Sequence, residues 1–304
     1  MSTALDRIRV GSAPDSWGVW FADDPQQVPW QRFLDEVSTA GYEWVELGPY
    51  GYLPTDPAVL RDELDRRGLR VSAGTVFTAL HRGPAVWDGT WEHVSGVARL
   101  AKATGARHLV VIPEFWRDQV TGAPLESDRL TAEQTADLAA GMERLGRAVR
   151  DTFGLRIVVH PHADTHIDGE EAVARFLDAT DPEDVALCLD TGHYAYCGGD
   201  TLQLIRTYGE RVGYLHLKQV NPAVLAEVRA EKLPFGPAVR RGVFSEPPAG
   251  VPDLPPVLAA AQALGTDRDV ELFAIVEQDM YPCLPDQPLP IASRTRRFLS
   301  ACGA

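Results

Sequence analysis

The chain has no excess of basic residues and no cluster of them. Its 304 residues include 29 Lys and Arg against 43 Asp and Glu, which gives a formal charge of −14 at pH 7. A surface that binds nucleic acid needs clustered Lys and Arg to neutralise phosphates. The composition therefore argues against a nucleic-acid partner and favours small molecules or cations as ligands.

Paired cysteines and long apolar runs are also missing. No two cysteines have the C-x-x-C spacing of a zinc or redox motif, so we expect reduced thiols at Cys188, Cys197, Cys283 and Cys302. No segment approaches the ~18 uninterrupted apolar residues of a membrane span. The first residues, MSTALDRIRVGSAP, lack the apolar run of a signal peptide. We therefore expect a cytoplasmic protein without a membrane partner.

Nucleotide-binding turns are absent, although strand-like and helix-like segments alternate along the chain. Neither G-x-G-x-x-G nor G-x-x-x-x-G-K-[ST] occurs, which argues against an open nucleotide-binding sheet. Strand-like apolar runs occur at residues 8–12, 44–47, 70–74, 108–113, 156–160, 185–190, 212–218 and 273–277. Helical patterns occur at residues 30–40, 57–67, 91–104, 131–153, 170–179, 201–208, 255–264 and 291–301. This alternation predicts a single (β/α)8 TIM barrel domain over residues 1–304.

One Gly/Pro-rich segment does not fit the regular alternation. Residues 233–256, LPFGPAVRRGVFSEPPAGVPDLPP, precede the last predicted strand. The segment is too long for an ordinary connection in a compact domain. We expect it to form a loop over the mouth of the barrel.

Ionisable side chains follow six of the predicted strands, at the end where barrels keep their chemistry. They are Glu46, Glu114, His160, His162, Asp190, His193, His216, Lys218, Glu277 and Asp279. Four of them, His160, Asp190, His216 and Glu277, lie near the ends of strands five to eight, which a closed barrel brings around one axis. Mixed nitrogen and oxygen donors suit Mn, Co, Fe or Zn better than Ca or Mg alone. The pattern predicts a metal site.

The sequence resembles the xylose-isomerase-like barrel superfamily of sugar isomerases, epimerases and dehydratases. The resemblance rests on APDSWGVW, YEWVELGPYGYLP, VVHPHADTHID, LCLDTGHYAYCGGD, GYLHLKQV and VEQDMYP, which span nearly the whole chain. It implies that Asp190, His216 and Glu277 are metal ligands. We expect Mn or Co first, with Zn, Fe and Mg as alternatives.

At the fifth strand the chain departs from the keto-sugar epimerases of that superfamily. Those enzymes usually place a glutamate ligand there, whereas this chain has His160. A histidine can bind a metal but cannot be the carboxylate base of a two-sided epimerase. The resemblance therefore implies a dehydratase acting on a cyclic polyol ketone. A keto-sugar isomerase or epimerase is the first alternative. A non-catalytic binding barrel is the second, and the set of acid-base groups counts against it.

Dehydration next to a ketone requires a base, an acid and stabilisation of the enediolate that forms, to which a metal contributes as a Lewis acid. The proton-transfer candidates are Lys218, Glu46, His193, His162, Glu114 and His81. Lys218 follows His216 by two residues, so both should face inward. A neighbouring cation should lower the pKa of Lys218. An electrostatic clamp on a substrate hydroxyl is the alternative role for this lysine.

Substrate contacts are predicted on both sides of the barrel mouth. Asp279 is expected to hydrogen-bond a hydroxyl, and Trp17 to form an apolar wall, with Trp20, Phe77 and Trp116 as further aromatic candidates. The expected ligand is a small polyol or sugar ketone. A homo-oligomer is compatible with the sequence.

Overall fold

The computed structural model describes residues 7–304, in which eight parallel strands close into a barrel. The described residues contain ten strands, eight in the barrel and two outside it: β1 Ile8–Ser12, β2 Trp44–Glu46, β3 Arg70–Thr78, β4 His108–Pro113, β5 Arg156–Val159, β6 Ala186–Asp190, β7 Val212–Leu217, β8 Gln219–Val220, β9 Phe244–Ser245 and β10 Leu272–Val276. The barrel order is β1-β10-β7-β6-β5-β4-β3-β2, while β8 and β9 form a separate antiparallel pair. The predicted (β/α)8 fold is confirmed.

Helices surround this barrel. They are α1 Trp30–Ala40, α2 Pro57–Asp65, α3 Trp87–Ala103, α4 Ala132–Phe153, α5 Glu170–Asp178, α6 Thr191–Tyr196, α7 Thr201–Tyr208, α8 Pro222–Glu231, α9 Phe235–Arg240, α10 Leu254–Asp267 and α11 Pro288–Ala301. The predicted single domain includes residues 1–6, which lie outside the described residues. The same residues belong to the N-terminal segment in which no signal peptide is expected.

Strand β6 shows how the strands divide their side chains between two layers. Ala186 and Cys188 belong to the apolar cluster inside the barrel, whereas Leu187 and Leu189 belong to the larger core between barrel and helices. All five residues of the strand are buried, as expected of parallel strands covered on both faces. Because side chains alternate along a strand, Asp190 continues the inward series and reaches the carboxyl end of the barrel.

The mouth of the barrel carries more ordered structure than the sequence predicts. Residues 233–256, expected to be a loop, contain α9 and β9. Strand β9 pairs with β8, which brings Phe244 opposite Val220. Phe235, Phe244 and Val220 are buried in one apolar cluster that covers this side of the mouth. Burial of these side chains explains why a Gly/Pro-rich segment is ordered here.

The cysteines are unpaired, as expected from their spacing. All four cysteines are free thiols, and Cys188 is buried. Among residues 7–304, no helix combines the length and apolar character that crossing a bilayer requires.

Candidate active site

A cavity of about 540 Å³ opens at the carboxyl ends of the barrel strands. Its lining includes most of the predicted site residues: Glu46, Glu114, His160, His162, His193, His216, Lys218, Glu277 and Asp279. Strand topology therefore brings together side chains that are far apart in sequence, as expected for a barrel of this type.

Four potential metal ligands form one buried cluster at the base of the cavity. Oδ2 of Asp190 lies 3.5 Å from Nε2 of His160 and 3.6 Å from Nδ1 of His216. The same His216 nitrogen lies 3.1 Å from Oε2 of Glu277. One ligand atom from each of the four residues lies within 4.8 Å of the others. This spacing brings two imidazoles and two carboxylates to one point.

Two of the potential ligand atoms in this cluster form no hydrogen bond with the described residues. Oδ1 of Asp190 caps helix α6 by accepting hydrogen bonds from the backbone N–H groups of Gly192 and His193, at 2.8 and 2.7 Å. Oδ2 of Asp190 and Nδ1 of His216 are buried and have no hydrogen-bond partner among residues 7–304. Buried polar atoms are normally paired, so a cation between these two atoms would satisfy both. The cluster fits a divalent metal ion.

One contact to a backbone carbonyl and one to a carboxylate determine the tautomers of His160 and His216. Nδ1 of His160 lies 2.7 Å from the carbonyl oxygen of Pro161, so it carries the hydrogen and leaves Nε2 as the ligand atom. Nε2 of His216 lies 3.0 Å from Oε2 of Glu46, to which it donates, leaving Nδ1 for a metal. Glu46 is buried. A carboxylate in this position orients a histidine ligand and raises its basicity.

Lys218 lies beside the cluster, surrounded by carboxylates. Its Nζ is 2.8 Å from Oδ2 of Asp279, 3.0 Å from Oε2 of Glu277 and 3.4 Å from Oδ2 of Asp190. Burial opposes the charged form of this side chain, but Asp190, Asp279 and Glu277 together outweigh burial and raise the pKa of Lys218 well above its ordinary value. These carboxylates act against the lowering expected from a neighbouring cation. Lys218 is therefore protonated at neutral pH.

His193 and His162 line the cavity as neutral imidazoles. Nε2 of His193 lies 3.1 Å from Nζ of Lys218, and the rings of His193 and His162 are 3.7 Å apart between centroids. Burial, with a smaller effect of His160, lowers the pKa of His162 to about 3. Burial and then the His162 ring lower the pKa of His193 well below its ordinary value. Both rings are therefore neutral and are weaker bases than a free imidazole.

Asp15 is a residue of the site that the sequence interpretation missed. It lies just after β1, in APDSW, and its Oδ2 is 3.7 Å from Nζ of Lys218. Burial and then the nearby Glu277 raise the pKa of Asp15 well above its ordinary value. The rule that barrel sites are built at strand ends would have identified it.

Aromatic side chains form one wall of the cavity. Trp20 stacks on Phe235 and on Tyr281, with ring centroids 5.8 and 4.8 Å apart. Phe235 also packs against His162, at 5.1 Å. Trp20 lines the cavity as predicted, and so does Phe77. An apolar wall beside polar groups is the usual arrangement of a small-molecule site.

Other predicted residues do not join the buried centre. Trp17 is fully buried in the core between barrel and helices, and its Nε1 donates to Oε2 of Glu36 at 2.8 Å. This position does not support the predicted contact between Trp17 and substrate. Glu114 lines the cavity at its rim, with its side chain 43% exposed and an ion pair to Arg82 at 3.3 Å. Nor does His81 line the cavity.

Comparison with known proteins agrees with this architecture. The model of the family described as xylose isomerase-like TIM barrel matches residues 34–277. An inosose dehydratase of Geobacillus thermodenitrificans is 30% identical over 98% of each chain. The IOLI protein, solved with a bound zinc atom, has a TM-score of 0.70 at 14% identity, covering 97% of this chain and 98% of that one. The probable 3-DHS dehydratase AsbF of Bacillus anthracis has a TM-score of 0.69 at 13% identity, with 96% and 98% covered.

Proposed function

The chain belongs to the xylose isomerase-like TIM barrel family, and on that premise we propose that it is a metal-dependent lyase. The substrate we propose is a cyclic polyol ketone such as 2-keto-myo-inositol, also called scyllo-inosose, which the enzyme dehydrates through an enediolate. The name of the full-length Geobacillus relative, inosose dehydratase, supports this substrate class. The solved neighbours, at 13 and 14% identity, support the fold alone.

One observation carries the proposal. A buried group of four potential ligands lies directly beside the charged Lys218, and Oδ2 of Asp190 and Nδ1 of His216 in this group form no hydrogen bond with the described residues. Burial of several ionisable groups costs free energy, and their convergence in a cavity is typical of catalytic sites. A site that merely bound a sugar would have little use for them.

The residues that would hold the cation are His160, Asp190, His216 and Glu277. A divalent metal bound there would supply a Lewis acid that stabilises negative charge on the ketone oxygen, an effect of several kcal/mol. Mn and Co are the metals we propose, and Zn, Fe and Mg are the alternatives. Glu46 holds the ring of His216 in the ligating tautomer.

The proton transfers divide between two kinds of side chain. The neutral ring of His162 or His193 would take the proton from the carbon next to the ketone, which creates the enediolate. Because burial makes both rings weak bases, this transfer would require a cation that polarises the ketone and makes the carbon-bound proton more acidic. As the carbon–oxygen bond to the β-hydroxyl breaks, the ammonium of Lys218 would donate a proton to the departing oxygen, and water would leave. His193 lies 3.1 Å from the lysine Nζ, so a proton can pass between the two groups and restore both. General acid-base catalysis of this kind contributes ~10²–10⁴ in rate.

The same cavity suits the ring of a polyol. Asp279 and Asp15 surround the lysine at 2.8 and 3.7 Å, where their oxygens would bind substrate hydroxyls. Trp20 and Phe235 offer an apolar wall to the C–H face of the ring. Glu114, at the rim, would contact the outer edge of the substrate.

A keto-sugar isomerase or epimerase is the alternative on this fold, because it would use the same enediolate. The identity of His160 disfavours it, since the two carboxylates of the cluster, on Asp190 and Glu277, would both be occupied as ligands. Two-sided epimerisation would then lack the metal-bound glutamate pair that acts as base in the keto-sugar epimerases.

The first experiment tests metal dependence and reaction type together. The protein is stripped of metal with a chelator, reloaded in separate samples with Mn, Co, Zn, Fe or Mg, and incubated with scyllo-inosose while ultraviolet absorbance of an enol-dione product is followed. We expect no reaction without metal and product formation after reloading. Glu133→Gln, on the exposed first turn of α4, serves as a control for handling and should behave like the unmodified protein. Full turnover by the stripped protein, or no product with any of the five metals, would contradict the proposal.

A further inference from the structure

A second group of metal-ligating side chains lies outside the catalytic cavity. His81 lies in the short 3-10 turn Leu80–Arg82 after β3, Glu126 precedes α4, and His166 precedes α5. We propose that these three side chains form a second divalent cation site, of the zinc type, which ties together the loops that follow β3, β4 and β5. This inference does not depend on the proposed reaction.

The geometry of the three side chains is that of a converging ligand set. Nε2 of His81 lies 2.8 Å from Oε1 of Glu126. Nδ1 of His166 lies 3.9 Å from the same oxygen. One ligand atom from each residue lies within 4.8 Å of the others. His81 is completely buried, and only 2% of the His166 side chain is exposed.

The hydrogen bonding of these groups is incomplete. In the described part of the chain, neither ring nitrogen of His81 has a hydrogen-bond partner, and Oε1 of Glu126 and Nδ1 of His166 also have none. The 2.8 Å approach between His81 and Glu126 therefore lacks the direction of a hydrogen bond. Buried unpaired polar atoms require an explanation. A cation bound by all three side chains provides one.

Hydrogen bonds to neighbouring residues orient the ligand atoms of His166 and Glu126. Nε2 of His166 donates to the carbonyl oxygen of Ser127 at 2.8 Å, which leaves a lone pair on Nδ1. Oε2 of Glu126 lies 3.3 Å from Nε of Arg82, so Oε1 is left for the metal. Zn²⁺ commonly takes two imidazoles and one carboxylate, with an oxygen ligand in the fourth position.

The position of this second site gives it a structural role. His166 lies four residues after His162, whose ring lines the catalytic cavity. The backbone N–H groups of Leu125 and Glu126 both donate to the carbonyl oxygen of Trp116, in the loop after β4 that lines the same cavity. A cation on Glu126 and His166 would therefore hold two walls of the catalytic cavity in place.

Zinc stoichiometry of the full chain tests the inference. Metal-stripped protein is dialysed against Zn²⁺ alone, and bound zinc is counted by elemental analysis. We expect two equivalents per chain. Glu126→Gln should lose one equivalent and Glu277→Gln should lose the other, while the exposed His93→Gln should keep both. Because Glu126→Gln is isosteric and partly exposed, it should fold even if His81→Gln does not.

Cobalt provides a second measurement on the Glu277→Gln background. We expect Co²⁺ to give visible absorption that His81→Gln or Glu126→Gln abolishes. One equivalent of zinc in the unmodified protein, lost completely in Glu277→Gln, would overturn the inference, as would two equivalents retained in Glu126→Gln. One equivalent that survives Glu277→Gln but not Glu126→Gln would support the second site and contradict the catalytic metal, so the two proposals fail separately.

Discussion

Nε2 of His216 lies 3.0 Å from Oε2 of Glu46, although the two residues are 170 positions apart in the sequence. His216 lies in strand β7 and Glu46 ends strand β2, and these two strands lie on different sides of the closed barrel. The contact fixes which nitrogen of His216 faces the ligand cluster. We therefore propose Glu46 as a positioning residue for His216, one of the proposed metal ligands.

The first prediction concerns this contact. Glu46→Gln removes the charge that favours the ligating tautomer of His216, so metal affinity at the catalytic cluster should fall ~10–100-fold. Titration of stripped protein with Mn²⁺ measures the change. Glu114→Gln, at the exposed rim, is the matched control and should leave metal affinity unchanged. Equal affinity in Glu46→Gln and the unmodified protein would show that Glu46 does not act through His216.

Lys218→Met tests the proposed proton donor. We expect a loss of ~10²–10⁴ in kcat, because among the described residues no other cationic side chain lies beside both Asp279 and His193. The variant should also be less stable, by an order of ~3–5 kcal/mol, since it leaves buried carboxylates without their counter-charge. Steady-state kinetics measures the loss of kcat, and urea unfolding measures the loss of stability separately. A folded variant with full kcat would remove Lys218 from the mechanism.

The glycine of LDTGH has a spatial reason that leads to another prediction. A Cβ atom at Gly192 would lie 2.5 Å from Cγ of Lys218, so Gly192→Ala must displace the lysine. A displacement of about 1 Å in a catalytic group costs ~100-fold in rate. Gly89→Ala in helix α3 meets nothing within 4 Å and should gain ~0.5–1 kcal/mol of stability with normal activity. Undiminished kcat in Gly192→Ala would contradict this account of the motif.

The sequence predicts side-chain directions correctly along a strand but not in the turn after β1. Alternation along β7 places His216 and Lys218 on the inner face, and the structure agrees, because a strand has only two faces. After β1 the chain forms a 3-10 turn, Pro14–Trp17, which sends Asp15 to the cavity and Trp17 to the core. That turn has no periodic pattern, so the prediction chose Trp17 and missed Asp15.

Residues 233–256 show the same limit for the mouth of the barrel. Their order depends on long-range burial of Phe235 and Phe244, and local composition indicates only a loop. The second cluster was missed for a related reason. His81, Glu126 and His166 lie in three different loops, and only the folded barrel brings them together.

A stability prediction follows from His108 at the other end of the barrel interior. Its ring packs edge-on against Tyr214 and Phe273, and its Nδ1 is buried without a partner. Burial, with smaller effects of Arg107 and Arg156, lowers the pKa of His108 to about 4. The unfolded chain takes up this proton near pH 6.5 and the folded chain does not, so stability falls as pH decreases from about 6.5 towards 4.

The measurement compares unfolding free energies at pH 7 and pH 5. The unmodified protein should lose up to about 2 kcal/mol more than His108→Gln over this interval, with the other titrating groups common to both. Parallel pH profiles for the two proteins would show that His108 does not contribute.

Reaction of scyllo-inosose in heavy water with the Mn-loaded enzyme tests the central claim most directly. Nuclear magnetic resonance and mass spectrometry then identify the product. The account predicts loss of one water and an enol-dione, with rate lost in Asp190→Asn because that variant lacks a ligand of the buried cluster. A ring that stays fully hydroxylated and carries deuterium at the carbon next to the ketone, as the sole product, would contradict dehydration and identify an epimerase.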